Sequence, residues 1–447
     1  MIRTSNHSLK FSNQGKLNTL HDFCDEYRRA LQIYVDYIWD MEYHWEAKTQ
    51  VKVKPNSKAA KPRKRTILVS KTLNIKNRQY DTPKYFPVKL SIPTTLSARA
   101  LKCCATQAIG MVKAVIKKPS KRMYQLNKLK AEGADYSKLE NKINRTPITK
   151  PKVFNANIEL NSICCGFSET RSALSFDGFI TLSSLGKTYG KILLPIKYHR
   201  QANKWRSLGT QLKSFLINKN SINMRWEVKP PPLKTEGIIV GADQGKRDVV
   251  VFSSGAKTPK ADRHNHTLDS IMAKLARKRK GSKAFQKAQD HRTNFINWDI
   301  KQLNLDKIKQ INLEEIINIG FRKHTSRLMS HWTNTDIENQ ITKLCEEKGV
   351  LLNLQSSIYR SQRCFICGLV RKSNRLKGGK EFRCKGCGAS CDADFNAARN
   401  HSILLPKLPP GFRSLKLNIK GFLWKPEGIF DLSGKELTVP FSNKKVK

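Results

Sequence analysis

Hydrophobic residues recur every three or four positions in the first third of the chain. The clearest stripe begins near Leu17 and consists of Leu20, Phe23, Tyr27, Leu31, Tyr34 and Ile38. This spacing places them on one face of a helix, and such a face is more often core than a cofactor site. A second helix is predicted from Leu96 to about Lys117, and it is followed by a basic region from Lys121 to Lys130 and another helical segment to about Lys142. The pattern therefore predicts a helical region.

Two stretches near these helices have a different pattern. Residues 2–11 alternate weakly between apolar and polar side chains, which is typical of a single strand. Residues 46–72 are polar, basic and proline-containing. They predict either a loop that orders on a phosphate backbone or a solvated linker.

Short apolar segments replace the helical stripes between Val153 and Val228. They read FNANIEL, FITLSSL, KILLPIKY and INMRWEV, separated by glycine, serine and asparagine turns. Several short strands without long helices between them predict a small barrel. The run Pro230–Pro232 then forms a stiff boundary.

Beyond this boundary, apolar segments predict three strands, and two of these strands end in carboxylates. GIIVGADQG and RDVVVF predict two antiparallel strands joined by a glycine turn, with Asp243 at the end of the first. Taken alone, an Asp-x-Gly is usually only a hairpin turn. INLEEI predicts a strand that carries Glu314 and Glu315. Periodicity does not distinguish these two glutamates, and a surface helix with paired glutamates is the alternative.

A long basic helix is predicted from Leu268 to Trp298. Its basic residues are candidates for contacts with a nucleic-acid backbone, and a solvated charged face is the alternative. The candidate nucleic-acid-binding residues are Lys274, Arg277, Lys278, Arg279, Lys280 and Lys283.

The charge of the whole chain favours the first of these interpretations. Its 447 residues include 84 Lys and Arg against 35 Asp and Glu, a formal net charge of +49. A compact chain with this charge repels itself unless a polyanion neutralises it, so nucleic acid is the expected partner. A ribosomal-type basic composition is the alternative. Without an apolar run near 18 residues or an apolar signal core, we expect no membrane association and a cytoplasmic location.

Eleven cysteines fit a reducing compartment, and four of them form two C-x-x-C pairs. The pairs predict one tetrahedral zinc site with the ligands Cys364, Cys367, Cys384 and Cys387. Cys391 lacks this spacing and is left outside the site. A helix is predicted over residues 394–400, opening with Asp394. A structural zinc ribbon followed by an unrelated acidic helix is the plain alternative.

The motifs SQRCFICG, NR before FRCKGCG, and DADFNAARN resemble the C-terminal signature of the TnpB nucleases and the related type V CRISPR effectors. The resemblance implies a multidomain α+β protein. It assigns residues 1–10 and 151–233 to an oligonucleotide-binding wedge barrel and residues 11–150 to an inserted helical recognition lobe. It further assigns residues 234–358 and 389–405 to a RuvC nuclease of RNase H fold, and residues 359–388 to a zinc ribbon. Residues 406–447 form a tail with no functional interpretation.

The resemblance also implies roles for individual residues. Asp243, Glu314 and Asp394 would bind two catalytic Mg²⁺ ions, and the four cysteines would bind one structural Zn²⁺. Arg375 would stabilise charge on the scissile phosphate, although a surface arginine on a basic protein is the alternative. The sequence departs from the family pattern at Gln244, where an apolar residue is usual, and at Asp248, where asparagine is frequent.

The implied function is an RNA-guided DNA endonuclease that hydrolyses phosphodiesters at guide-complementary sites beside a short flanking motif. Its partners would be a guide RNA and target double-stranded DNA, bound by a monomer or a homodimer in a transposon or CRISPR context. Two alternatives stay open. One is an RNA-guided DNA-binding repressor that does not cleave, and the other is a guide-free structure-specific nuclease.

Overall fold

The protein is described by a computed structural model. The residues it describes are 1–40, 43–49, 65–70, 90–116, 118–131, 136–145, 149–170, 176–245, 247–316, 334–376, 379–409 and 412–437. They belong to two units, one made of residues 1–120 and 147–229 and the other of residues 121–146 and 230–447. Among these residues, no helix is long and apolar enough to cross a bilayer.

The elements up to residue 228 are, in chain order, β1 (Ile2–Ser8), α1 (Gln14–Asp40), β2 (Tyr43–Thr49), β3 (Arg65–Ser70), α2 (Ala98–Ile116), α3 (Lys118–Ala131), α4 (Ser137–Arg145), β4 (Ile158–Leu160), β5 (Cys165–Glu169), β6 (Gly178–Leu182), β7 (Ile192–Ile196), α5 (Arg200–Leu208), β8 (Gly209–Ile217) and β9 (Ser221–Val228). The two predicted long helices are confirmed as α1 and α2. The predicted basic region lies in α3, and the helical segment predicted after it corresponds to α4.

The described strands of the first unit form three antiparallel sheets, of which the β2-β3 pair is the smallest. The other two have the orders β1-β9-β8-β4 and β5-β6-β7. Because β1 pairs with β9, the first strand of the chain shares a sheet with strands that lie some 200 residues later. The apolar face of α1, including Phe23 and Tyr27, packs in one core with Ile180, Leu194 and Met224. The sequence did not predict β5, β8 or α5.

The interpretation of residues 46–72 as loop or linker is wrong where the structure describes them. β2 and β3 pair antiparallel, with Tyr43 opposite Ser70 and Trp45 opposite Leu68. Aromatic and β-branched residues favour such a strand, and the many lysines between them obscured that signal. Residues 50–64 and 71–72 of the predicted loop lie outside the described part of the chain.

The remaining elements are β10 (Ile238–Gln244), β11 (Val250–Phe252), α6 (Leu268–Ala276), α7 (Lys283–Ile300), β12 (Ile308–Glu315), α8 (Asn334–Lys348), β13 (Leu351–Ser356), β14 (Leu369–Val370), β15 (Glu381–Arg383), β16 (Ser390–Asp392), α9 (Ala393–Ser402), β17 (Phe422–Lys425) and β18 (Gly428–Phe430), with short 3₁₀ turns at Lys372–Asn374 and Phe412–Leu415. All of them belong to the second unit.

A four-stranded sheet of order β11-β10-β12-β13 forms the centre of this unit. β10 runs antiparallel to β11, which confirms the predicted pair of strands, and parallel to β12. β12 is in turn parallel to β13. Apolar residues of this sheet pack with α6, α7 and α8 in one core, which includes Val240, Leu313, Ile296 and Ile341. The carboxyl ends of β10 and β12 therefore meet at one edge of the sheet.

The predicted basic helix is interrupted. α6 ends at Ala276, and α7 begins only at Lys283. Gly281 has a φ of 87°, a conformation that a helix interior excludes, and the Ser282 side chain accepts a hydrogen bond from the Phe285 N–H, which caps the new helix. Residues 277–280 therefore lie in the connection between two helices and not on a helical face.

The segment after residue 404 is folded against the cysteine-rich region. β17 pairs with β14 and with β18 in a three-stranded sheet. Phe412, Phe422 and Trp424 pack with Tyr359 and Val370. The described part of the predicted tail thus supports the strands next to the first C-x-x-C pair.

Candidate active site

Asp243 and Glu314 lie side by side at the carboxyl edge of the central sheet. The parallel register pairs Ala242 with Leu313, so the next residue of each strand is a carboxylate. Asp243 is 8% exposed and Glu314 is 9% exposed, whereas Glu315 is only partly buried. The structure therefore distinguishes the two glutamates that periodicity left open, because Glu314 is the one that faces Asp243.

Asp394 reaches the same place from the first turn of α9. The Asp392 side chain caps this helix by accepting hydrogen bonds from the N–H groups of Asp394 and Phe395, both at 3.0 Å. The negative charge of Asp394 raises the pKa of both Asp243 and Glu314, so the three carboxylates form one electrostatic cluster.

Close packing of α9 on β10 fixes the position of Asp394. A Cβ atom placed on Gly241 would lie 2.0 Å from the Ala398 carbonyl oxygen and 2.4 Å from the Ser402 nitrogen. Only a residue without a side chain allows the helix backbone to approach the strand this closely. The Asn312 side chain also donates to the His401 carbonyl oxygen at 3.0 Å, which holds the last turn of α9 over β12.

Two asparagines of the DADFNAARN motif connect α9 to the cysteine-rich region. The Asn400 side-chain amide donates to the Arg363 carbonyl oxygen at 2.7 Å and accepts from the Arg363 guanidinium at 2.5 Å. The Asn396 amide donates to the same carbonyl oxygen at 2.9 Å and accepts from the Phe365 N–H at 3.3 Å. Both asparagines are fully buried. The segment at the first cysteine pair therefore positions the helix that carries Asp394.

Burial and mutual repulsion make this cluster costly to ionise without a cation. Burial, followed by the charges of Glu314 and Asp394, raises the pKa of Asp243 well above its usual range. Burial raises the pKa of Glu314 to about 7, although the Gln244 N–H opposes this rise. The pKa of Asp394 is also raised, first by burial and then by Asp392. Oxygen ligands of this kind suit a hard divalent cation such as Mg²⁺.

The departure at Gln244 has a clear structural consequence. Its backbone N–H donates to Glu314 Oε1 at 3.0 Å, and its side-chain amide donates to the Glu314 carbonyl oxygen at 3.1 Å. Gln244 therefore fixes both the carboxylate and the backbone of Glu314. Gln244 Oε1 is buried and has no hydrogen-bond partner among the described residues, so it leaves a polar atom for a water or an ion beside the cluster.

Asp248, the second departure, is also buried, and its nearest cation is Lys257 at 3.7 Å. Its negative charge adds to the rise in the pKa of Asp394. Asp248 thus makes the environment of Asp394 more negative, which an asparagine at the same position would not do.

Arg375 lies at the open side of the cluster. Its Nη2 is 3.8 Å from Asp394 Oδ1, and its side chain is 37% exposed. The positive charge of Arg375 lowers the pKa of Asp243, Glu314 and Asp394, in opposition to the effect of burial. The structure therefore brings the predicted arginine to the three predicted acids.

His401 is a residue that the sequence reasoning missed. One of its ring nitrogens lies within 4.8 Å of carboxylate oxygens of Asp243 and Glu314, and the side chain is 1% exposed. Burial, together with the charge of Arg360, lowers the pKa of His401 to about 3, so the ring is neutral at pH 7. The sequence does contain a signal for His401. His401 follows Asp394 by seven residues, or about two helical turns, so both residues lie on the same face of one helix.

The four predicted cysteines meet in one cluster. Cys364 Sγ lies 3.7 Å from Cys387 Sγ, and Cys367 Sγ lies 3.5 Å from Cys384 Sγ. Four thiolates at about 2.3 Å from one tetrahedral Zn²⁺ would lie about 3.8 Å apart, so this cluster could hold zinc with little adjustment. Cys391 is not part of it. Gly368 and Gly388, which follow the pairs, have φ values of 80° and 75°.

The candidate nucleic-acid-binding residues are distributed over three segments. Lys274 is on α6, Lys283 is the first residue of α7, and the other four lie in the connection between these helices. The structure does not place the six on one helical face, contrary to the prediction.

Comparison with known proteins gives matches to one group. The family model described as the Cas12f1-like TNB domain matches residues 335–401, which include the cysteine cluster and α9. Cas12f1 of Sulfoacidibacillus thermotolerans, a CRISPR-associated endodeoxyribonuclease, is 30% identical over 141 residues, which is 32% of each chain. A TnpB-like protein of Aquifex aeolicus is 31% identical over 86 residues, 19% of this chain and 28% of the relative. These matches confirm the predicted resemblance to TnpB-like proteins and type V effectors.

A solved structure titled as a Cas12f1-sgRNA-target DNA complex aligns over 68% of this chain and 71% of that chain, at 16% identity and a TM-score of 0.41. The aligned segments of the curated relatives named above amount to about a third of their length or less.

Proposed function

We propose that this protein is an RNA-guided DNA endonuclease with a RuvC-type active site formed by Asp243, Glu314 and Asp394. The observation that carries the proposal is their convergence, since these acids are 71 and 80 residues apart along the chain and still form one cluster. Two come from adjacent parallel strands and one from a helix start. Burial of Asp243 and Glu314 beside the partly buried Asp394 supports the proposal, because solvated surface acids are seldom buried beside one another.

Bound divalent metal would lower the pKa of an attacking water and stabilise the leaving 3′ oxygen of a phosphodiester. Mg²⁺ is the ion whose preferred ligands fit these carboxylates, and two ions are expected for in-line hydrolysis. Asp243 and Glu314 hold their positions because strand backbones and Gln244 restrain them. Asp394 closes the site from α9, and Arg375 supplies a positive charge on the side from which a phosphate can enter.

The cysteine cluster has a supporting role in this proposal. Zn²⁺ bound by Cys364, Cys367, Cys384 and Cys387 would fix the turn that precedes Arg375 and the segment that binds Asn396 and Asn400. Asp394 and Arg375 both depend on that segment. We therefore expect the zinc site to act on catalysis through position alone.

Guide RNA and target DNA are proposed as partners on two grounds. The net charge of +49 favours a polyanionic partner, and the curated Cas12f1 relative is a CRISPR-associated nuclease. By analogy with such effectors, pairing with the guide would supply sequence specificity, and the protein would act as a monomer or homodimer in the prokaryotic cytoplasm.

The test is cleavage of a matched DNA duplex by protein loaded with the RNA that co-purifies with it. In Mg²⁺, Asp243→Ala, Glu314→Ala and Asp394→Ala should each lower cleavage at least about 100-fold, since the metal loses a ligand. Gel-shift binding of the same duplex should stay within about twofold, because pairing energy and backbone contacts lie elsewhere. Glu315→Ala is the matched control, because it changes the adjacent glutamate of the same strand and should retain cleavage.

Three outcomes would contradict the proposal. Cleavage that survives in Asp394→Ala would exclude the three-acid site. Guided binding without cleavage by the unchanged protein would favour a repressor. Cleavage of branched DNA with no RNA bound would favour a guide-free structure-specific nuclease.

A further inference from the structure

A second group of metal-binding side chains lies outside the carboxylate and cysteine clusters. It consists of Asp262 and His266, in the connection between β11 and α6, and His291 on α7. One ligand atom from each residue lies within 4.8 Å of the other two. None of the three belongs to the residues matched by the Cas12f1-like family model, and none contributes to the proposed nuclease site.

The turn that carries two of these residues is well ordered by its own hydrogen bonds. Asp262 Oδ1 accepts from the N–H groups of His264 at 2.8 Å and His266 at 3.0 Å. The backbone closes the turn with a hydrogen bond from the Asp262 N–H to the His266 carbonyl oxygen, and Asn265 has a φ of 60°. These contacts use Oδ1 and leave Oδ2 directed at His266, whose Nδ1 is 3.2 Å away.

His291 completes the group from a different element. Its ring lies 4.8 Å from that of His266, centroid to centroid, at an interplanar angle of 85°. An ion pair between Asp262 and His266 would explain why these two side chains lie close together. It would not explain why His291, a third side chain able to bind a metal, lies beside them. Burial, followed by the charge of the neighbouring His266, lowers the pKa of His291, which favours the neutral ring that binds metals.

We propose that Asp262, His266 and His291 bind a divalent transition metal of the zinc class, with water in the remaining position. Zinc accepts two imidazoles and a carboxylate at about 2.0–2.2 Å, which would place the ligand atoms about 3.3 Å apart. Since the three ligand atoms lie within 4.8 Å of one another, the contraction needed is at most about 1.5 Å, and Asp262 Oδ2 and His266 Nδ1 are already 3.2 Å apart. The His266 side chain is 46% exposed and that of Asp262 is 18% exposed, so water and metal have access.

Charges of both signs surround the site. Lys274 is near enough to lower the pKa of His291 and opposes a cation, whereas the Asp262 carboxylate favours one. A bound ion would tie the turn at residues 262–266 to α7. Since Thr267 caps α6 directly after this turn, the ion would also fix the start of α6 against α7.

The experiment counts zinc per chain in the full-length protein. Metal is first removed with a chelator, Zn²⁺ is then returned in excess Mg²⁺, and free metal is washed away; Asp243→Ala is measured in parallel, and any zinc that it loses is assigned to the carboxylate cluster. About two zinc ions per chain are expected, one in the cysteine cluster and one here. Cys384→Ser should retain only the second ion, whereas His266→Ala and His291→Ala should each retain only the first.

His264→Ala is the matched control, because it removes an exposed histidine of the same turn and should leave two ions bound. The thermal midpoint gives a second readout, since Zn²⁺ should raise it in Cys384→Ser but not in the double variant with His291→Ala. One zinc ion per unchanged chain, or a second ion retained in both histidine variants, would overturn the proposal. Either result would leave the proposed nuclease site untouched.

Discussion

At the scale of single residues, the decisive feature is burial of like charges. Asp243 and Glu314 are almost inaccessible, and their neighbours include another carboxylate and the side chain of Gln244. Such a cluster is unfavourable for folding and favourable for holding a cation. The residues that would carry the reaction are therefore the residues that should make the protein less stable when no metal is bound.

The pH dependence of stability tests this conclusion. The folded-state pKa of Glu314, about 7, lies above its usual value of 4.5, so Glu314 favours folding below about pH 4.5 and this contribution is lost as the pH rises through 7. Glu314→Gln keeps an oxygen for the Gln244 N–H and removes the charge. In EDTA, its free energy of unfolding relative to the unchanged protein should rise by up to about 3 kcal/mol between pH 5 and pH 8.

The measurement is chemical denaturation at both pH values, with the difference between the two proteins as the readout. This difference removes the effects of the other titrating groups, which matter in a chain of this charge. Mg²⁺ should stabilise the unchanged protein more at pH 8 than at pH 5 and should have little effect on Glu314→Gln. If this difference does not vary with pH, burial does not raise the pKa of Glu314 in the folded protein.

At the scale of helices and strands, the site depends on how closely α9 approaches β10. Gly241→Ala tests this directly, because the added methyl group would lie 2.0 Å from the Ala398 carbonyl oxygen. The helix must move by about 1 Å or more, and a shift of that size at a catalytic group can cost about 100-fold in rate. We expect a large loss of cleavage together with destabilisation of about 1–3 kcal/mol.

A matched control for this change is Gly255→Ala, since no atom lies within 4 Å of the added Cβ there. Gly255 has a φ of 88°, so its replacement should affect stability but not cleavage. If Gly241→Ala cleaves as fast as the unchanged protein, α9 is not restrained by β10 in the way described.

Elements were predictable where local sequence decides the structure. The stripe from Leu20 to Ile38 and the continuous apolar run of β10 need no knowledge of distant residues. Two features of the fold were not predicted, because they do not follow from the local pattern of apolar and polar residues. A single glycine and a capping serine interrupt the basic helix between α6 and α7, although its composition favours a helix throughout. β17 is recognisable only from its partner β14, which lies more than 50 residues earlier.

The same distinction explains the site. Asp243 and Asp394 were predicted because their motifs resemble those of the TnpB and type V proteins, and the four cysteines were predicted from the spacing of their pairs. Gln244 and His401 were not identified as part of the site, since what connects them to it is proximity in the fold. Periodicity left Glu314 and Glu315 open, and the resemblance favoured Glu314. The parallel register of β10 and β12, which no periodicity within one strand can supply, places Glu314 beside Asp243.

At the scale of the whole molecule, the excess of positive charge sets how the protein meets its partner. Each phosphate that a cation of the protein neutralises releases condensed counterions. The logarithm of the binding constant K therefore falls linearly with the logarithm of the salt concentration. A chain with a net charge of +49 should therefore show a steep slope. The question that the fold raises is whether the connection between α6 and α7 contributes to that slope.

Changing Arg277, Lys278 and Arg279 together to alanine answers it. The three residues lie in a connection and not along a helix, so they can contact neighbouring phosphates only if the connection itself faces the nucleic acid. If it does, the slope for a fixed DNA duplex should decrease in magnitude by about 2 to 3, close to one unit per lost phosphate contact. The charge-preserving variant Arg277→Lys, Lys278→Arg, Arg279→Lys should keep the original slope, which separates loss of charge from loss of structure. An unchanged slope in the alanine variant would show that this connection faces away from the nucleic acid, and the steep salt dependence would then have to arise from basic residues elsewhere in the two units.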